Sequence, residues 1–379
     1  MSEQEHRLRP EPSVAPASPV WSWNEWDPLE EVIVGSPVGA AIPRWDHVDH
    51  AFHVPGDMPT FWDNQGGPMP PAEVQRADAE LAELVRILEA EGVKVRRPDP
   101  QIYVGQRHAT PDWEWTGSGF NCANPRDVLL VVGDEIIEAP TPRKARRYEV
   151  HAYRDLLNEY SRAGARWTSA PMPRLVERSF RPVPEPRPDA PMLLDPGEVQ
   201  HYPLSEHEPL WEAADFMRCG RDIFYLRSYV SNRLGIEWLE RHLGAGFRFH
   251  EIEVIDRRPV HIDTTFLPLA PGKAMVNPDF VVRLPPVLST WDILHPPRPV
   301  SMPSPSAFQT GSPWLNINVF SLDAERVFVD ARQEALHAKL RDWGLSPIAI
   351  PFQNYYGFGG GFHCCTLDVR RRGTLESYF

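Results

Sequence analysis

The sequence predicts an α/β fold of about five similar β-β-α-β units arranged around an axis, and three observations carry that expectation. A helix–glycine–strand–proline phrase recurs along the chain. Apolar strands, several of them paired around a tight turn, precede the helices. The 42 prolines and 24 glycines imply many short elements joined by turns rather than a bundle of long helices. Units of this size cannot each bury a core alone, so five of them should close around an axis. An ordinary α/β sandwich of two domains is the competing arrangement.

The phrase first appears at residues 72–91, where Val74, Leu81, Leu84, Val85 and Leu88 fall at helical spacing. Gly92 stops that helix, and a strand at 93–95 runs to Pro98. Residues 147–163 repeat it with Tyr153, Leu156, Leu157 and Tyr160, followed by Gly164, a strand at 165–168 and Pro171. A third helix at 229–243 precedes Gly246 and a strand-like run at 247–254. A fourth at 332–343 precedes Gly344, a strand at 348–350 and Pro351, and a shortened copy lies at 287–294 before Pro296. The strands expected ahead of these helices are 31–35, 128–137 turning at Gly133-Asp134, 222–226, 265–276 turning at Pro271-Gly272, and 318–329.

Composition narrows the function. The chain has 379 residues, 42% of them hydrophobic, enough for a large buried core. A net charge of −13 argues against partners that need a basic surface, nucleic acid and anionic membranes, while leaving cationic substrates open. No apolar run approaches the roughly 18 residues of a membrane span. Residues 1–20 are polar and Pro-rich without the apolar stretch of a signal peptide, and read as a flexible leader on a cytoplasmic protein whose single domain covers 21–379. Cys122, Cys219, Cys364 and Cys365 are too few and too irregularly spaced for a disulfide scaffold. The glycines at 357 and 359–361 lack a following Lys-Ser/Thr helix and are no phosphate loop; they let the backbone turn sharply before Cys364.

Three segments could carry chemistry: Phe362-His363-Cys364-Cys365, Val260-His261-Ile262-Asp263-Thr264-Thr265, and Trp211-Glu212-Ala213-Ala214-Asp215. Together they offer a thiol, an imidazole and carboxylates, the set that activates a nucleophile. Taken singly, each has a blander reading. A lone intracellular Cys is more often a small buried hydrophobe, a strand His a satisfied polar residue, and a nearby Asp a turn cap. His363, Cys364, His261 and Asp263 could also ligate a metal, but CxxC and HxxxH spacings are missing and adjacent cysteines do not easily supply a tetrahedral site, so no metal is expected.

The strings at 24–35 (NEWDPLEEVIVG), 125–140 (PRDVLLVVGDEIIEAP), 212–224 (EAADFMRCGRDIF), 261–266 (HIDTTF) and 359–378 (GGGFHCCTLDVRRRGTLESY) resemble the glycine amidinotransferase family. That family includes arginine:glycine and inosamine-phosphate amidinotransferases. The resemblance runs in order from about residue 21 to the last. It implies a five-bladed α/β propeller in one domain, with Cys364 as nucleophile, His261 as proton shuttle and Glu212, where several relatives carry Asp, as the acid that orients it. Asp127 and Asp263 carry over as guanidinium binders, the natural partners of a planar cation with five donors. Ser312 matches a position near the nucleophile.

The resemblance further implies ping-pong transfer of an amidino group from a guanidino donor, L-arginine by default, to an amine acceptor through an S-amidino-cysteine on Cys364. No cofactor is implied, and a homodimer is allowed. Guanidine hydrolysis of the arginine deiminase kind is the alternative activity, and a non-catalytic binding protein on the same fold the third. At the position where relatives place an Arg for the substrate carboxylate this sequence has Phe280, and Arg283, three residues on, is the expected replacement. Glycine is therefore not assumed as acceptor; an aminocyclitol, a diamine or another amino acid is equally open.

Overall fold

The strand–turn–strand phrases close as hairpins, each followed by a helix that returns the chain to a third strand. The computed structural model describes residues 18–44, 46–53, 60, 63–100, 107–109, 113–116, 121–183, 191–300 and 313–379. Leu129–Val132 pairs antiparallel with Glu135–Glu138, and Arg166–Ser169 joins parallel after the helix Arg154–Arg162. Phe216–Cys219, Asp222–Tyr225 and Arg248–Glu251 repeat this around the helix Arg233–Leu243. Phe266–Ala270, Lys273–Val276 and Asp292–Leu294 do so with only a short 3-10 turn, Pro286–Thr290, as the shortened copy predicts. Phe320–Ser321, Arg326–Asp330 and Ser346–Ile350 form the next unit around Glu334–Asp342.

The remaining unit draws on both ends of the chain. Leu29–Val34 pairs antiparallel with Thr366–Arg371 and parallel with Lys94–Arg96, which follows the helix Pro71–Ala90. The single strand expected ahead of the first helix thus has its hairpin partner more than three hundred residues away. Pattern reading misses the pairing because no local turn signals it. The same sheet corrects the leader: Val20 is fully buried and the Ser18 carbonyl accepts from Arg370 (2.8 Å), so residues 18–20 belong to the packed chain. The third helix starts at Arg233, not 229, because the Asn232 side chain accepts the Gly235 N–H (2.8 Å) as an N-cap. The expected strand 247–254 divides, Glu253–Val254 pairing instead with Val281–Arg283.

Glycine is required at the 133 turn. It sits at φ +62°, and a Cβ there would meet the Trp23 ring at 2.2 Å.

A buried ion cluster ties the units together. Arg218 donates to Glu25 (Nε, 2.8 Å), Asp368 (Nη2, 2.6 Å) and Ser22 (Nη1, 2.8 Å). Asp368 also accepts from Arg126 and Arg371, each at 2.6 Å. Burial opposes the charge on Asp368, but the three guanidiniums outweigh it and hold the carboxyl well below the usual carboxylate range. Removing one member of such a cluster leaves an uncompensated buried charge. Arg218→Met is expected to cost about 3–5 kcal/mol, read as a lower denaturation midpoint in guanidinium chloride. Among the described residues no helix is long and apolar enough to cross a membrane.

Candidate active site

The chemistry-bearing residues occupy one recurring place, the segment just before the first strand of each unit. Asn124 and the helical turn Pro125–Val128 precede Leu129; Glu212 and the turn Ala213–Asp215 precede Phe216; His261 and the turn Ile262–Thr264 precede Phe266. The turn Pro313–Ile317 with Asn318 precedes Phe320, and Phe362–Cys365 precedes Thr366. His261 has φ +60°, a left-handed backbone that costs a β-carbon residue about 1–3 kcal/mol and is held by its surroundings.

Cys364, 2% exposed, donates through Sγ to Asp263 Oδ2 (3.1 Å) and lies 3.2 Å from Asn318 Nδ2. His261 Nε2 lies 2.8 Å from Glu212 Oε2, and Nδ1 lies 3.7 Å from Asp127 Oδ1. One ligand-type atom each of Asp127, His261 and Cys364 falls within 4.8 Å of the others. The sequence-predicted Cys364, His261, Glu212, Asp127 and Asp263 are therefore together. Burial and the neighbouring carboxylates of Asp263 and Asp127 push the Cys364 thiol up. Burial works against a charged His261, but Asp127 and Glu212 outweigh it and raise the imidazole to about 9. Burial also opposes the charge on Glu212, which Arg143 and Arg146 nonetheless hold well below its ordinary value.

Sequence reading did not single out those two arginines. Arg143 grips Glu212 through Nε (3.0 Å) and Nη2 (2.6 Å), and Thr141 Oγ1 donates to the same carboxylate at 2.6 Å. Arg146 Nη1 donates to Asp127 Oδ2 at 2.6 Å. His363 Nδ1 lies 3.0 Å from Asp263 Oδ2. One oxygen of each of these acids is thus fixed by the protein, while Asp127 Oδ1 and Asp263 Oδ1 are buried and accept no hydrogen bond, Asp127 Oδ1 having only the His261 ring at 3.7 Å. Two unsatisfied carboxylate oxygens beside a thiol suit a planar cation carrying several N–H groups. A metal suits the place less well. His261 carries a proton over most of the pH range, and Asp127 is already paired with Arg146.

Arg283 is not brought here. It lies on Val281–Arg283, 74% exposed, and pairs with Glu253 at 2.8 Å. It therefore does not replace the arginine that the resemblance places at Phe280, whose own side chain is packed into the apolar core. Ser312 lies outside the described residues.

An α/β chain of repeated units, with a buried thiol, an imidazole–carboxylate pair and free acid oxygens at their common ends, has the make-up of an enzyme acting on a guanidino group. Over 366 residues the chain is 43% identical to the L-arginine:L-lysine amidinotransferase of Pseudomonas savastanoi pv. phaseolicola, covering 95% of this chain and 97% of that one. It is 42% identical over 371 residues to the mitochondrial glycine amidinotransferase of Gallus gallus, with 95% and 85% covered. Among solved structures it resembles SxtG, an amidinotransferase from Microseira wollei in the saxitoxin biosynthetic pathway, with TM-score 0.87, 48% identity, and 95% and 100% covered. No protein-family model matches the chain. The chain belongs to the amidinotransferase family, enzymes that transfer amidino groups.

Proposed function

We propose that this amidinotransferase takes the amidino group of L-arginine, releases ornithine and passes the group to an amine through an S-amidino-cysteine on Cys364. The observation that carries the reading is the pair of buried oxygens that accept no hydrogen bond, Asp127 Oδ1 and Asp263 Oδ1, beside the Cys364 thiol. A guanidinium bound between them neutralises the two charges that push the thiol up, so donor binding itself favours the thiolate. The arginine donor is the one named for the relative that uses L-arginine and L-lysine.

Sulfur attacks the central guanidinium carbon, the bond to the departing nitrogen breaks, and that nitrogen gains a proton. The thiol gives its proton to solvent as the donor binds, and His261, charged at neutral pH, delivers one proton to the departing nitrogen and is left neutral. In the second half-reaction the neutral His261 accepts a proton from the incoming amine, which attacks the same carbon; the C–S bond breaks and the released thiolate regains a proton from solvent. Atoms and charge balance in both halves without a redox partner or cofactor. We further propose that the five units are the blades of a closed propeller. The shared sheet of Leu29–Val34 and Thr366–Arg371 supports this, since it joins the two ends of the chain.

The test is an acceptor screen with arginine, following ornithine and the guanidinylated product. Ornithine release that continues beyond one equivalent per enzyme only when the amine is present supports the reading; citrulline formed without any amine contradicts it. Asp127→Asn and Asp263→Asn should each lower kcat/KM for arginine about 10- to 100-fold, because each weakens a hydrogen bond to a charged group. Initial rates across arginine concentration check this.

A further inference from the structure

Within the proposed active site, we infer that Asn318 is a further catalytic residue, the donor that holds the Cys364 sulfur in its ionised form. The amide's orientation decides which of its ends faces the thiol. The backbone N–H groups of His363 (2.9 Å) and Cys364 (3.1 Å) both point at one Asn318 side-chain atom. Two donors can converge only on the oxygen, so that atom is Oδ1. The other atom, Nδ2, then carries two N–H groups and sits 3.2 Å from Cys364 Sγ.

His261 does not take this place: it is committed to Glu212 at 2.8 Å, and its other nitrogen faces Asp127. The groups around the sulfur are the carboxylates of Asp263 and Asp127, the imidazole of His261 and the Asn318 amide. The two carboxylates disfavour a thiolate and the charge on His261 is offset by Glu212 and Asp127, so the neutral groups that favour a thiolate are the backbone of Gly361 and, as the side chain in hydrogen-bond reach of the sulfur, the Asn318 amide.

Asn318 is also fixed in place. Its backbone carbonyl accepts the Phe362 N–H (3.0 Å). Gly361 packs so closely that a Cβ there would lie 2.7 Å from Oδ1. The glycine run ahead of Cys364 therefore lets the nucleophile's turn press against this amide. Asn318 lies two residues before the first strand of its unit, as Asp127 and Cys364 do in theirs.

Asn318→Asp separates the two jobs, since it keeps an oxygen for the two backbone N–H groups and replaces the donor to sulfur with an acceptor. The measurement is the pH dependence of Cys364 alkylation by iodoacetamide without substrates, read by peptide mass, with thermal melting to confirm the fold. The alkylation limb of Asn318→Asp should move up by at least about one pH unit, a tenfold slower reaction at a fixed pH below the limb. Asn318→Ser, a second route if the first variant does not fold, should move it in the same direction. A limb unchanged or moved down in a folded variant overturns the inference. Alkylation needs no donor or acceptor, so this outcome is distinct from failure of the proposed transfer, which would appear in the native protein as the lack of an arginine-derived adduct.

Discussion

Cys364→Ala is expected to abolish transfer, a loss of at least about 10³-fold in kcat, whereas Cys365→Ala should retain activity within a few-fold. The two thiols are neighbours in sequence and both buried, but their surroundings differ in kind. Cys364 faces Asp263 and Asn318 beside His261 and Asp127. Cys365 donates to its own turn, to the Phe362 carbonyl at 3.3 Å, and packs in an apolar cluster with Val34, Phe352 and Phe362. Burial pushes its thiol well above the ordinary cysteine range. A residue in that setting is a small core hydrophobe, and its loss should show in stability rather than in kcat. Steady-state assays of both variants beside their melting curves separate the two roles.

Glu212→Gln should lower kcat by about 10²- to 10⁴-fold and move the high-pH limb of activity downward. The sign follows from the charges. Asp127 and Glu212 raise His261 to about 9, so the imidazolium that serves the departing amine persists until the pH passes that value. A neutral amide removes one of those charges while the Arg143 and Arg146 guanidiniums still face the ring's partner. The imidazole then loses its proton at lower pH. The same linkage governs stability: the His261 contribution is fully present below the unfolded value of 6.5 and fades as pH rises through about 9. Profiles of kcat against pH for native enzyme and variant check both statements.

The helix–glycine–strand part of the units was legible because those pieces lie close together in sequence, as in the helix Arg154–Arg162 followed by Gly164 and Arg166–Ser169. The Leu29–Val34 hairpin was not, since its partner is the C-terminal strand and no local turn marks the pair. The strand Phe216–Cys219 was missed for a related reason: it carries the Arg218 of the buried ion cluster, so its pattern does not read as an apolar run. At the site, residues with reactive chemistry could be recognised from type and motif, while their holders could not. Arg143, Arg146 and Thr141 act by reaching Glu212 or Asp127 across the fold, and an arginine in a surface-like Pro-Arg-Lys string gives no sign of being buried. Asn318 was findable in principle, because it falls at the same phase of the repeat as Asp127 and Cys364.

Arg283 shows the opposite error. Proximity in sequence to the missing arginine at Phe280 made it a candidate, but the two side chains go different ways, Phe280 into the core and Arg283 to solvent with Glu253. The acceptor screen is the direct route to the identity of the amine.

Mass spectrometry of the native protein after incubation with arginine and no amine decides whether Cys364 carries the transferred group. One added amidino group on the peptide containing Cys364 and one equivalent of ornithine are expected. An adduct on Cys365, or no adduct with any guanidino donor, would contradict that assignment.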